Sequence, residues 1–264
     1  MSGLLRERDI KIAFIDWLFK KGLLDDAAII NEMVVANWSR RADLAVANGH
    51  LQAFEIKSDF DSLKRLDGQL ETFTSRFEKV TVVCSPKFTY EVTKKVTPDV
   101  GVIEYLNTNK GIHFKIIQRG RVSIIGNKNI YMSFLLKKEL QLLLIENGKR
   151  FLSESGRETL ERIAEQIPLS KIRKFVLISI KQRYKETSDN CLRKLIDNDF
   201  LSTTDLGLLS KSKQRKEQSS FNESEADSCE KSNEFYTVDI EKFMRKHGEV
   251  GSVIPVKVLK RLVR

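Results

Sequence analysis

An α/β fold is predicted, ordered helix, three strands, helix, strand, and continued by a mainly helical C-terminal half. Three observations carry it. Two segments place apolar residues at helical spacing, Asn48-Gly49 separates two strand-like runs, and helical periodicity takes over from about Tyr131. Leu5 to Lys21 sets Ile10, Ala13, Phe14, Trp17 and Leu18 on one stripe, and Gly22 ends the helix. Ile29 to Ala36 is rich in β-branched residues and reads as a strand. Arg41 to Ala47 and Leu51 to Lys57 flank Asn48-Gly49, a strong hairpin signal. Asp61-Ser62 then reads as the cap of a second helix, with Leu63, Leu66, Leu70, Phe73 and Phe77 on a single stripe. Val80 to Cys84 is a short continuous apolar run, as suits a strand covered on both faces. Gly101 to Leu106 and Ile112 to Gln118 fit two further strands.

Beyond Tyr131, helices are predicted at Phe134 to Asn147, Arg157 to Gln166 and Lys171 to Tyr184, the last two divided by Ile167-Pro168. The latter two could form a helical hairpin, the generic arrangement, or a helix-turn-helix laying Lys171, Arg173, Lys174, Lys181 and Arg183 on nucleic acid. Residues 210–233 are polar and poor in large apolar groups, and read as a flexible loop before a basic terminus. The expected division is residues 1–128 for the α/β domain and 129–264 for a helical, basic accessory domain.

No apolar run approaches the roughly 20 residues of a membrane span, and the charged N-terminus lacks the core of a signal peptide. No membrane association and a cytoplasmic location are therefore expected. Three cysteines and three histidines, all widely spaced, match neither a disulfide framework nor a zinc site. A metal held by this chain should be a hard one, on carboxylates. A net charge of +10 favours a polyanion as partner, although a solvated basic surface explains the charge equally well.

The stretch from Arg40 to Phe73 carries the chemistry. Glu55-Ile56-Lys57 puts a carboxylate and an ammonium on one face of a strand, because side chains alternate with period two. Asp43 lies on the neighbouring strand. Two carboxylates and a lysine on one face supply what metal-assisted phosphodiester hydrolysis needs. Register decides whether they meet. With a two-residue turn Asp43 would oppose Phe54 and point away from Glu55. An extra loop residue, with Gly49 left-handed, or a bulge brings both to one face and also sorts Leu44, Val46, Phe54 and Ile56 onto an apolar one. The tripeptide alone is weak evidence, since Asp9-Ile10-Lys11 repeats the pattern within a predicted helix. Context strengthens it: Glu55 and Lys57 sit among apolar neighbours, where unpaired charge is costly. The plainer alternative is a surface ion pair.

Ala42-Asp43 followed by Glu55-Ile56-Lys57 resembles the PD-(D/E)XK nuclease superfamily, with Ala42 in the place of proline. The R-x-D, EIKSD and L-x-R-L elements are similar to a little-characterised bacterial branch with a helical C-terminal extension. The likeness covers about residues 4 to 107, and Leu136 to Tyr184 resembles the extension only in pattern. It implies a restriction-endonuclease-like αβββαβ core with a mixed central sheet. It also implies magnesium, with manganese as a substitute, held by Asp43, Glu55 and the backbone carbonyl of Ile56. Lys57 would assist the attacking water. Glu7 on the first helix would be a third acid, and Glu32 a weaker supporting one. Gln69 matches a glutamine near substrate, with Phe73 replacing the tyrosine that usually follows it. Arg40, Arg41, Lys64 and Arg65 are candidates for the nucleic-acid backbone. The implied activity is metal-dependent hydrolysis of DNA, favoured over RNA; cutting both strands would favour a homodimer. Two alternatives are an inactive nuclease-fold module binding nucleic acid or protein, and a regulator whose C-terminal half binds DNA.

Overall fold

The computed structural model describes residues 5–35, 40–197 and 200–210, and two short strands at 235–237 and 257–259. The chain opens with helix α1 (Glu7–Lys20), strands β1 (Ala28–Val35), β2 (Arg40–Ala47) and β3 (Leu51–Lys57), helix α2 (Leu66–Thr74) and strand β4 (Lys79–Cys84). Helix α3 (Pro86–Lys95) and strands β5 (Gly101–Thr108) and β6 (Gly111–Gln118) complete the sheet. Helices α4 (Lys128–Ser133), α5 (Lys137–Glu146), α6 (Arg157–Ala164), α7 (Leu169–Ile196) and α8 (Thr203–Leu208) follow.

The six strands lie in sequence order, β1 to β6. Neighbours are antiparallel except β3–β4 and β4–β5, which are parallel and joined through α2 and α3. The sheet is therefore mixed, with its most buried strands in the parallel centre, as parallel pairing requires cover on both faces. One face packs Ala45, Ala47, Leu51, Ala53 and Val82 against α2, α3 and helices α4 to α7. The other packs Leu44, Val46, Phe54 and Ile56 against Ile10, Phe14, Ile15 and Leu18 of α1.

Helix α7 serves both faces. Ile172, Val176 and Ile180 belong to the first core, and Cys191 and Leu195 to the second. At 28 residues it is about 42 Å long, long enough to pass the edge strand β1. There Ser188 Oγ of α7 accepts the Ile29 N–H at 2.9 Å, while from α8 and the residue after it the Leu206 and Leu209 carbonyls accept the Asn31 side-chain amide and backbone N–H. An open strand edge, otherwise prone to pairing with another chain, is thereby covered.

Several expectations need correction. Helix α2 begins at Leu66, not after Asp61-Ser62, and Asp61 caps a different feature. Its carboxylate accepts both the Ser58 N–H and the Ser58 hydroxyl at the exit from β3. The stripe itself stands, with Leu63, Leu66, Leu70, Phe73 and Phe77 all buried. Helix α3 was not anticipated, though Ser85-Pro86 is a start signal, with Ser85 as N-cap and proline inside the first turn. In the segment expected as Phe134 to Asn147 the helix is α5, over Lys137–Glu146, with the shorter α4 before it, and α7 runs 12 residues beyond Tyr184. The compact unit spans Met1–Gln214, crossing the boundary expected near residue 128, and Arg215–Arg264 forms a second. In the second unit β7 (Phe235–Thr237) pairs antiparallel with β8 (Lys257–Leu259). The flexible loop expected at 210–233 lies, apart from Ser210, outside the described residues. Among the described residues no helix is long and apolar enough to cross a membrane.

Candidate active site

The β2–β3 hairpin adopts the shifted register. Ala47 pairs with Leu51 and Leu44 with Phe54, so Asn48, Gly49 and His50 form a three-residue loop, with Gly49 at φ 101°. A β-carbon is disfavoured at that φ, so glycine is what the loop requires. Continued one step, this register sets Asp43 opposite Glu55. The Asp43 carboxylate also accepts the Ile56 N–H at 2.7 Å, which ties it to the start of the Glu-x-Lys element. Across β1 the ladder pairs Asn31 with Leu44 and Met33 with Ala42, and Glu32 falls between them at φ 59°. A non-glycine residue in that region stores backbone strain, held here by the surrounding structure.

These residues line a pocket of about 230 Å³ with Glu7, Glu32, Arg40, Arg41, Asp61, Arg65 and Gln69. At its floor, Glu55 and Lys57 are 1% and 3% exposed. Lys57 Nζ donates to Glu55 Oε1 at 2.7 Å and to Gln69 Oε1 at 3.0 Å, and Gln69 Nε2 donates to Glu55 Oε1 at 2.6 Å. The three side chains form a closed triangle, so Gln69 fixes the positions of both charged groups. The other carboxylate oxygen, Glu55 Oε2, is buried with no hydrogen-bond partner among the described residues. A buried, unpartnered carboxylate oxygen is costly and calls for a ligand.

Electrostatics follow from this crowding. Burial, then the charge of Glu55, pushes the Asp43 carboxyl up to about 8, with Lys11 opposing. Burial also raises Glu55, with Lys57 and Gln69 pulling it back. Like charges facing each other across one site favour a shared proton or a cation between them.

The structure brings together most of the residues singled out from sequence. Asp43, Glu55, Ile56, Lys57, Gln69, Glu7, Arg40, Arg41 and Arg65 all line the pocket. Ile56 does so through its main chain, because its side chain lies in the core beneath α1. Two assignments change. Arg41 is engaged by Glu32, its Nε 2.8 Å from Oε2, and Lys64 lines a neighbouring depression with Lys87 and Lys95. Of the five basic residues that a helix-turn-helix would lay on nucleic acid, Lys171 and Lys174 are exposed and the other three are paired within the protein. Arg173 pairs with the buried Glu78, Lys181 with Asp26 and Arg183 with Glu139.

Two site residues escaped the sequence reading. Asp61 reaches the pocket rim from the turn after β3, a position that looked like a helix cap. Lys11, 2% exposed, contacts Glu7 at 2.6 Å and Glu32 at 3.1 Å. Its i, i+4 spacing from Glu7 was the available signal, hidden because a lysine on a helix is usually solvated. Among the described residues no three His, Cys, Asp or Glu side chains gather closely enough to hold an ion.

A family model described as bacteriophage P4 protein cII matches residues 1–210. Protein cII of Enterobacteria phage P4 is 57% identical over 263 residues, covering 100% of both chains. A solved protein of unknown function from Silicibacter pomeroyi aligns with 58% of this chain and 100% of its own, at 13% identity and a TM-score of 0.35. That likeness is too loose to carry an argument. The family match spans every element from α1 to α8, the pocket included, and the chain belongs to the bacteriophage P4 protein cII family.

Proposed function

We propose that this chain is a magnesium-dependent nuclease of the PD-(D/E)XK type, with a restriction-endonuclease-like core, that hydrolyses DNA phosphodiester bonds. Manganese is the expected substitute. The observation that carries the reading is that Asp43 and Glu55 line one pocket, with Glu55 Oε2 buried and without a partner among the described residues, and Lys57 bonded to the same carboxylate.

The donor set suits a hard dication. Asp43 and Glu55 offer carboxylate oxygens, and Ile56, the residue between Glu55 and Lys57 in β3, lines the same pocket. When bound, the ion supplies positive charge to offset the phosphoryl oxygens and makes hydroxide available near neutral pH. The remaining work belongs to the protein. Lys57 presents a buried ammonium, locked by Glu55 and Gln69, that orients water or neutralises a non-bridging oxygen. Arg40 and Arg65 on the rim suit the phosphates on either side of the scissile one.

The test is magnesium-dependent cleavage of single-stranded, double-stranded and branched DNA, with Lys57→Ala alongside. Wild-type protein is expected to cleave at least one substrate, and the variant to be slower by about 10²-fold or more. Cleavage surviving in Lys57→Ala would overturn the assignment. A second reading, a nuclease-fold module that binds without turnover, draws on the lack of any three-residue metal cluster among the described residues. Binding without cleavage in both proteins is its signature.

A further inference from the structure

The pocket holds more acid than two metal ligands require, and a cation is already built into it. Lys11 comes from the buried stripe of α1 and is almost fully enclosed. Its ammonium contacts Glu7 Oε1 at 2.6 Å and Glu32 Oε1 at 3.1 Å. Glu32 is further engaged by Arg41, and Asp61 by Ser58. Of the five carboxylates around the pocket, Glu7, Glu32 and Asp61 therefore already have partners. Among the described residues, Glu55 Oε2 is the oxygen of these five carboxylates that is buried with no hydrogen-bond partner, and Asp43 accepts only the Ile56 backbone N–H. The strained backbone of Glu32 has a purpose on this view, because it turns that carboxylate toward Lys11 and Arg41.

We propose that the Lys11 ammonium occupies the place a second divalent ion would take, so that the site binds one ion, on the Asp43–Glu55 side. The inference rests on the metal-dependent reading above and deepens it, removing Glu7 from the ligand set the sequence suggested. Lys11 is on this account a positioning residue that neutralises Glu7 and Glu32 and touches no substrate.

Titration calorimetry with Mn²⁺ alone, and electron paramagnetic resonance of the loaded protein, test it without relying on activity. Full-length wild type should bind one ion per chain, and Glu55→Gln should lose it. Lys11→Gln removes the ammonium from Glu7 and from Glu32 Oε1 and should bind two ions with the spectrum of a coupled pair; Lys11→Arg should stay at one. Two ions in the wild type, or one in a folded Lys11→Gln, overturn the proposal. Should Lys11→Gln not fold, the wild-type stoichiometry still decides. No Mn²⁺ bound by the wild type would instead remove the metal-dependent reading, and this inference with it.

Discussion

Asp43 and Glu55 are both carboxylates, yet their surroundings divide their roles. Glu55 is locked by Lys57 and Gln69 through one oxygen and bare at the other, whereas Asp43 leans on a single backbone N–H. Asp43 is therefore the group that takes up the proton, with its pKa pushed from the ordinary 3.8 to about 8. Between those values the native protein holds a proton that the unfolded chain has released. The Asp43 contribution to stability is full below about pH 4 and is lost as pH rises through about 8. Metal-free protein should show a falling Tm between about pH 5 and about pH 8, and Asp43→Asn should flatten the slope. Magnesium, which favours the ionised pair, should restore Tm most at the alkaline end. An unchanged slope in Asp43→Asn would contradict this assignment. At this scale the sequence showed the residues whose chemistry is written in their type: Asp43, Glu55, Lys57 and Gln69. Lys11 and Asp61 stayed hidden because their roles depend on what the fold sets beside them.

The hairpin is the element that makes the site. One loop residue separates a register in which Asp43 meets Glu55 from one in which it faces away. Deleting Gly49 to leave a two-residue loop should abolish Mn²⁺ binding in calorimetry while the sheet persists in circular dichroism; retained binding would show that register is not what joins the two acids. The shifted register was legible because only it gathers Leu44, Val46, Phe54 and Ile56 on one face. Helix α7 was legible only in part. Five of its charges looked available to a polyanion, but tertiary contacts claim Arg173, Lys181 and Arg183. Arg173 donates to the fully buried Glu78 and to the Gly49 carbonyl at 2.8 Å, clamping the same loop. Glu78 also accepts from Tyr131 and from the Leu51 N–H. Arg173→Ala leaves that buried carboxylate without its cation and should cost about 3 kcal/mol in urea unfolding. A loss near zero would mean the pair is solvated. Helix α3 was missed because its short apolar pattern, Phe88 and Val92, is too sparse for a periodicity argument.

Over the whole molecule, the mixed sheet separates two cores, and α7 joins them around the β1 edge. The order of the first six elements follows the sequence because each is short and locally patterned. How the later helices pack could not be read from one sequence, since α4 to α7 bury their apolar stripes against the sheet itself rather than only against one another. At the pocket, Arg40 and Arg65 lie beside Asp43 and the buried Glu55. The most direct test of that arrangement is an anomalous difference map from crystals soaked in Mn²⁺. A single peak is expected about 2.1 Å from oxygens of both Asp43 and Glu55. Asp43 and Glu55 directed to opposite faces of the sheet, with no peak between them, would contradict it.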